Sequence, residues 1–152
     1  METGRHASEN YERGVVLRKA GLFKQAVEEF EQAAADGDYA LKAYAQIGLC
    51  HKSTGRHEEA VAAFRNALNS SPTSTKETVQ ILYVLGRTLE TLGRDGEALE
   101  AYRWIRREAP DYRDVAQRIR QLSTRRSSSH EPRRSWVGGV LRSWQDLLRT
   151  SK

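Results

Sequence analysis

The stretch "AYAQIGLCHKSTGRHEEAVAAFRNALNSSP", residues 43–72, aligns without a gap on "ILYVLGRTLETLGRDGEALEAYRWIRREAP", residues 81–110. Gly48 falls on Gly86, Gly55 on Gly93, Ala60 on Ala98, Phe64 on Tyr102 and Pro72 on Pro110. A third copy lies upstream, "YERGVVLRKAGLFKQAVEEFEQAAADGD" at 11–38, with Gly14, Gly21, Ala26 and Phe30 in the same places. Gly14 and Gly48 are 34 residues apart, Gly48 and Gly86 are 38. Self-similarity at such a period marks a stack of supersecondary units, none of which can bury its apolar face alone.

Each copy reads as two helices broken at a glycine that recurs in register, Gly21, Gly55 and Gly93. Glycine ends helices because it enters the left-handed conformation without a Cβ penalty. Gly14, Gly48 and Gly86 stand mid-helix, where glycine costs about 1 kcal/mol relative to alanine. A cost repeated at one position implies a steric need, the close approach of another helix. Ala26, Ala60 and Ala98 are the small residues on the second helices, and Phe30, Phe64 and Tyr102 fill the space between helices.

The pattern resembles the tetratricopeptide repeat, a helix-turn-helix unit of about 34 residues, over roughly residues 7 to 110. The resemblance implies an all-α solenoid of three helical hairpins. Two features depart from strict repetition. Asn10 stands where the other copies have Tyr44 and Leu82, and the connection "SSPTSTKET" is four residues longer than its counterpart. Within it Ser74 and Glu77 have capping-box spacing, so the third unit's first helix is expected to start early. Past Pro110, Tyr112, Val115, Ile119 and Leu122 form one stripe, with Arg113, Gln117, Arg118 and Arg120 as the polar outer face of a capping helix. The domain is thus read as 1–122.

In repeats of this kind the first helices line a concave groove that receives a partner's peptide or helix. The helical period puts Tyr11, Val15 and Arg18 there from the first copy and Ala45, Leu49 and Lys52 from the second. The third supplies Tyr83, Arg87 and Glu90. That is an apolar floor with mostly basic edges, suited to a segment with Leu or Phe anchors and acidic neighbours. Some family members clamp the C-terminal carboxylate of chaperones with Lys, Asn and Arg; here the matching places hold Tyr11, Val15, Gln46, Gln80 and Val84. A chaperone-adaptor role is therefore disfavoured.

The residues offer no reaction chemistry. His51 and His57, six apart, and the neighbouring Cys50 do not have metal-site spacing; His51 and Cys50 read as packed, His57 as part of a solvated turn. No phosphate loop or nucleophile motif is present. We expect no enzyme activity, no metal and no cofactor. The start lacks the apolar core of a signal peptide, no run approaches a membrane span, and a lone cysteine forms no internal disulfide, so a cytoplasmic protein is expected.

Charge separates the body from the end of the chain. Residues 1–110 carry 15 Lys and Arg against 16 Asp and Glu; residues 111–152 carry 10 against 4, which together give the net +5. Residues 123–135 contain four arginines, serines and a proline with no apolar residue, a flexible basic linker. Beyond it, at about 100° per residue, Trp136, Val137, Val140, Leu141, Trp144, Leu147 and Leu148 share an arc of about 140°, a separate amphipathic helix over 136–150. It needs a surface, and three are open: its own body, including exchange between two chains as a homodimer; another protein; or an anionic membrane at the inner face, suited by the interfacial Trp and basic linker. Nucleic acid is disfavoured, because the aromatics lie among leucines and not between the arginines. The expected function is a non-enzymatic adaptor or scaffold for protein–protein interaction, with the tail as second docking element. The alternatives are a peripheral membrane adaptor and a structural subunit of a larger complex.

Overall fold

A computed structural model describes residues 2–70 and 74–128. Among them are seven α-helices and no strand: α1 (Glu2–Lys19), α2 (Phe23–Ala34), α3 (Gly37–Ser53), α4 (His57–Asn69), α5 (Thr75–Thr91), α6 (Asp95–Glu108) and α7 (Val115–Ser128). The chain divides into two compact units, residues 1–73 with α1–α4 and residues 74–152 with α5–α7. None of the helices is long and apolar enough to cross a membrane.

The hairpins turn as the recurring glycines require. Gly21, Gly55 and Gly93 have φ of 79°, 75° and 71°. In the second hairpin the Gly55 amide donates to the Lys52 carbonyl (3.2 Å) and the Arg56 amide to the His51 carbonyl (2.8 Å). The same pair of bonds closes α1 at Gly21–Leu22 and α5 at Gly93–Arg94. This is the Schellman arrangement, which satisfies the last carbonyls of a helix through one left-handed residue. The second helices then begin directly at Phe23, His57 and Asp95, and their N-cap residues Leu22, Arg56 and Arg94 make no side-chain capping hydrogen bond. The first helices α3 and α5, in contrast, are capped by side chains. The Asp36 carboxylate accepts from the Asp38 amide (2.9 Å) ahead of α3. Ser74 and Glu77 form the expected capping box, and α5 starts at Thr75.

In the N-terminal unit the core is built from Ala26, Phe30 and Ala33 of α2, Ala43, Ile47 and Cys50 of α3, and Ala63 of α4. The mid-helix glycines explain themselves here. A β-carbon on Gly14 would lie 2.6 Å from Cε1 of Phe30, and one on Gly86 would lie 2.6 Å from Cε1 of Tyr102. Each first helix lies flush on the buried ring of its own hairpin. Asn10, the departure in the first copy, is also accounted for: it accepts a hydrogen bond from Arg13, whose guanidinium pairs with Glu29 of α2 at 3.2 Å. A polar tie between α1 and α2 stands where the other hairpins pack an apolar side chain.

In the C-terminal unit Val115, Ile119 and Leu122 are buried, as the capping stripe requires. Three particulars differ from the sequence reading. The helix starts at Val115, because residues 110–114 form a turn in which Arg113 takes φ 44°. It also runs to Ser128, six residues beyond the expected end of the domain at 122. The hydroxyls of Thr124 and Ser127 donate to the carbonyls one turn back, Arg120 and Ser123, at 2.9 Å each. Serine and threonine satisfied in this way are compatible with a helix. Arg118, placed on the outer face from sequence, is only 17% exposed and faces α5. The rest of the linker and the tail face Trp136, Val137, Val140, Leu141, Trp144, Leu147 and Leu148 lie outside the described residues.

Candidate functional site

In the N-terminal unit the six expected groove residues come together on two helices that pack on each other, α1 and α3. Tyr11 is half-buried, its ring 5.5 Å from that of Phe30 and 5.8 Å from that of Tyr39, and its hydroxyl accepts from Gln46 Nε2 at 3.3 Å. The ring is therefore fixed, with one face used by the core. Val15 also rests on the core, and Val15, Ala45 and Leu49 are each half-buried. Side chains fixed by the core yet still partly open are what an apolar anchor from outside can cover without further ordering cost. One turn further on stand Arg18, half-buried, and Lys52, exposed. Neither has a carboxylate partner among the described residues, and Arg18 Nε is sealed from solvent with no hydrogen-bond partner. Cys50 is fully buried next to Arg18; burial pushes its thiol above the ordinary value, with the guanidinium pulling the other way. It is an inert packing residue.

The third hairpin uses the corresponding positions differently. Tyr83 is only 8% exposed, so it is not a groove floor. Its ring packs 5.6 Å from that of Tyr112 and 6.2 Å from that of Tyr102, the Arg113 guanidinium lies 4.9 Å over it, and its hydroxyl donates to Asp114 Oδ1 at 2.7 Å. Glu90, at the position of Arg18 and Lys52, receives the Tyr102 hydroxyl (2.5 Å) and Arg118 (2.9 Å). Arg118 Nε also lies 2.9 Å from Asp114 Oδ2, an ion pair without hydrogen-bond alignment. Arg87 remains exposed, 3.9 Å from Glu90. Burial, and then the Glu90 carboxylate, push the Tyr102 hydroxyl far above the ordinary tyrosine value, so it stays a donor. The charges at this end of the third hairpin are consumed by the chain's own α7.

Sequence reading missed Gln46 as the partner of Tyr11, and Asp114 and Arg118 as the partners of Tyr83 and Glu90. The signal was there for the second set: Asp114 and Arg118 are four apart and share a helix face. Of the histidines, His51 is half-buried; His57, expected in a solvated turn, opens α4 half-buried with Nδ1 enclosed. Among the described residues no three His, Cys, Asp or Glu side chains are grouped to hold a metal.

A tetratricopeptide-repeat family model matches residues 39–107. No curated protein matches the chain in sequence. Solved structures with the same fold include the first tetratricopeptide domain of Spaghetti (RPAP3) bound to an HSP90 peptide, at 14% identity and TM-score 0.69, covering 82% of this chain and 96% of that one. MamA matches at 19% identity and TM-score 0.68, with 80% of this chain and 68% of that one covered. The Yersinia enterocolitica type III secretion chaperone SycD, in complex with a peptide of the translocator YopD, matches at 11% identity and TM-score 0.66 over 78% and 93%. Three hairpins that repeat one glycine–aromatic contact and one Schellman turn, with neighbours of the same fold, give the described residues the tetratricopeptide-repeat fold, and residues 39–107 match that family's model.

Proposed function

We propose that the protein is a non-enzymatic adaptor that holds a segment of a partner protein on the first-helix face of its N-terminal unit. The observation that carries this reading is the half-buried strip of Tyr11, Val15, Ala45 and Leu49, of which Tyr11 and Val15 pack against the core, with cations at one end. Two structural neighbours, the Spaghetti domain and SycD, hold peptides, which makes a peptide or helix the natural occupant of this face too. The second contact is assigned, on sequence pattern alone, to the Trp- and Leu-rich segment 136–150. Its targets in this reading are a partner protein or a second copy of the chain; liposome binding that weakens steeply with salt would instead favour the membrane adaptor.

The test is selection of binders to the whole chain from a displayed random-peptide library, followed by titration of the selected peptides. Saturable binding that is lost in Leu49→Glu and kept in Gln25→Glu, an exposed change on α2, is expected. Binding indifferent to Leu49→Glu would remove this face from the account.

A further inference from the structure

The cations that end the first-helix face are the part of the site that the fold itself does not need. Arg18, Lys52 and Glu90 are the same position of three successive repeats, 34 and 38 residues apart. In the third repeat the charge is neutralised from within: Glu90 takes Arg118 at 2.9 Å and the Tyr102 hydroxyl at 2.5 Å. In the first two repeats the sign is reversed and no carboxylate comes to meet it among the described residues. Basic residues in the last turn of a helix complement its dipole, worth about 0.3–1 kcal/mol at an exposed site. Lys52 needs no more explanation than that. Arg18 does, because its Nε is shut off from water with nothing to donate to, and an enclosed polar group without a partner is disfavoured.

We propose that Arg18, with Lys52 at the same position of the next repeat, receives a side-chain carboxylate of the partner segment, so that the N-terminal unit selects an acidic residue next to an apolar anchor. This rests on the protein-binding reading above. Val15 and Leu49 each lie three residues before the cation on their own helix, about 4.5 Å along the axis at 1.5 Å per residue, so the acidic and apolar groups of the ligand are close neighbours. The clamp of chaperone adaptors sits elsewhere; its positions here hold Tyr11, Val15, Gln46, Gln80 and Val84. The group recognised is therefore a side-chain carboxylate, and capping the peptide's C-terminus leaves binding unchanged. A guanidinium favours a carboxylate by paired, charge-assisted hydrogen bonds, which is why an arginine at the enclosed position and a lysine at the open one make chemical sense.

The experiment is to repeat the random-peptide selection on the wild-type chain and on Arg18→Gln, Lys52→Glu and Arg18→Glu/Lys52→Glu, using C-terminally amidated peptides for affinities. Wild-type binders are expected to carry Asp or Glu beside Leu or Phe and to bind Lys52→Glu and Arg18→Gln about tenfold more weakly, as loss of a charged hydrogen-bonded partner implies. The double reversal is expected to select Lys or Arg instead. Lys52 is exposed, so Lys52→Glu keeps the test decisive even if the double variant fails to fold. Binders with no acidic preference, or the same preference on all variants, would overturn the carboxylate site and leave the protein-binding reading standing. No binders on the wild-type chain would overturn both.

Discussion

A β-carbon added to Gly48 would lie 2.5 Å from Cε1 of Phe64, closer than real β-carbons come to any ring. Phe64 is 1% exposed and cannot swing away. This contact, repeated by Gly14 with Phe30 and Gly86 with Tyr102, sets how closely the two helices of every hairpin approach. Gly48→Ala should therefore destabilise the protein: overpacking costs about 1–3 kcal/mol, against about 1 kcal/mol gained in helix propensity, for a net loss of up to about 2 kcal/mol. In Phe64→Leu the obstructing ring is gone, so Gly48→Ala should cost clearly less there; urea unfolding of the four members of the cycle measures the difference.

Gly93 is required for a different reason. No atom stands within 4 Å of a β-carbon placed there, but its φ is 71°. Gly93→Ala should lose about 1 kcal/mol through backbone strain alone, and Gly93→Asn less, since asparagine tolerates the left-handed region. At Gly48 the order is reversed, because there size and not φ is the obstacle. Thermal melts of the four variants distinguish the two mechanisms.

The charges that dock α7 should be unequal. Tyr102→Phe removes one hydroxyl and fits the ring slot, as Phe30 and Phe64 show; a loss of about 1 kcal/mol is expected. Glu90→Ala leaves the Tyr102 hydroxyl without its acceptor and Arg118 with Asp114 as its one remaining carboxylate, and should cost more, about 2 kcal/mol or above, with amide exchange accelerated first along α7. Equal losses would mean that Glu90 does not organise the cluster.

Two carboxylates should respond to pH in opposite senses. Burial, and then the charge of Glu97, push the Glu100 carboxyl up, and its Oε2 is enclosed without a hydrogen-bond partner. A raised acid binds its proton more readily folded than unfolded, so its charge costs stability at pH 7 and the cost vanishes as pH falls through the folded value. Glu100→Gln should stabilise at pH 7 and lose that advantage toward the ordinary glutamate value of about 4.3. For Asp114 desolvation acts upward, but the Tyr83 hydrogen bond and the Arg118 and Arg87 charges outweigh it and hold the carboxyl below the usual range. Its stabilisation is present above the unfolded value of about 3.9 and is lost as pH drops through the folded one. Asp114→Asn should weaken the fold at pH 7 and make no difference in strong acid. Urea midpoints at pH 7 and below pH 3 check both.

The hairpins were legible because their signals are local and repeated: a left-handed stop at Gly55, a missing side chain at Gly48 and a ring at Phe64 recur in register, so one copy interprets the next. The capping box at Ser74–Glu77 was legible for the same reason, a short-range rule with few alternatives. What sequence periodicity did not reach is which face a shared position presents. Tyr83 carries the same groove position as Tyr11 and Ala45, yet Asp114 and Tyr112 of the following turn cover it. Arg118 read as solvated because arginine usually is; only its opposition to Glu90, 28 residues away, turns it inward. The start of α7 was misplaced because the left-handed Arg113 is not a residue type that announces a turn.

The most direct measurement of the central claim is an amide chemical-shift map of the whole ¹⁵N-labelled chain titrated with a selected peptide. The account predicts shifts concentrated on α1 and α3 around Tyr11, Val15, Arg18, Leu49 and Lys52, with little change on the outer faces of α2 and α4. Shifts centred on α2, α4 or α6 instead, with Val15 and Leu49 unmoved, would contradict it.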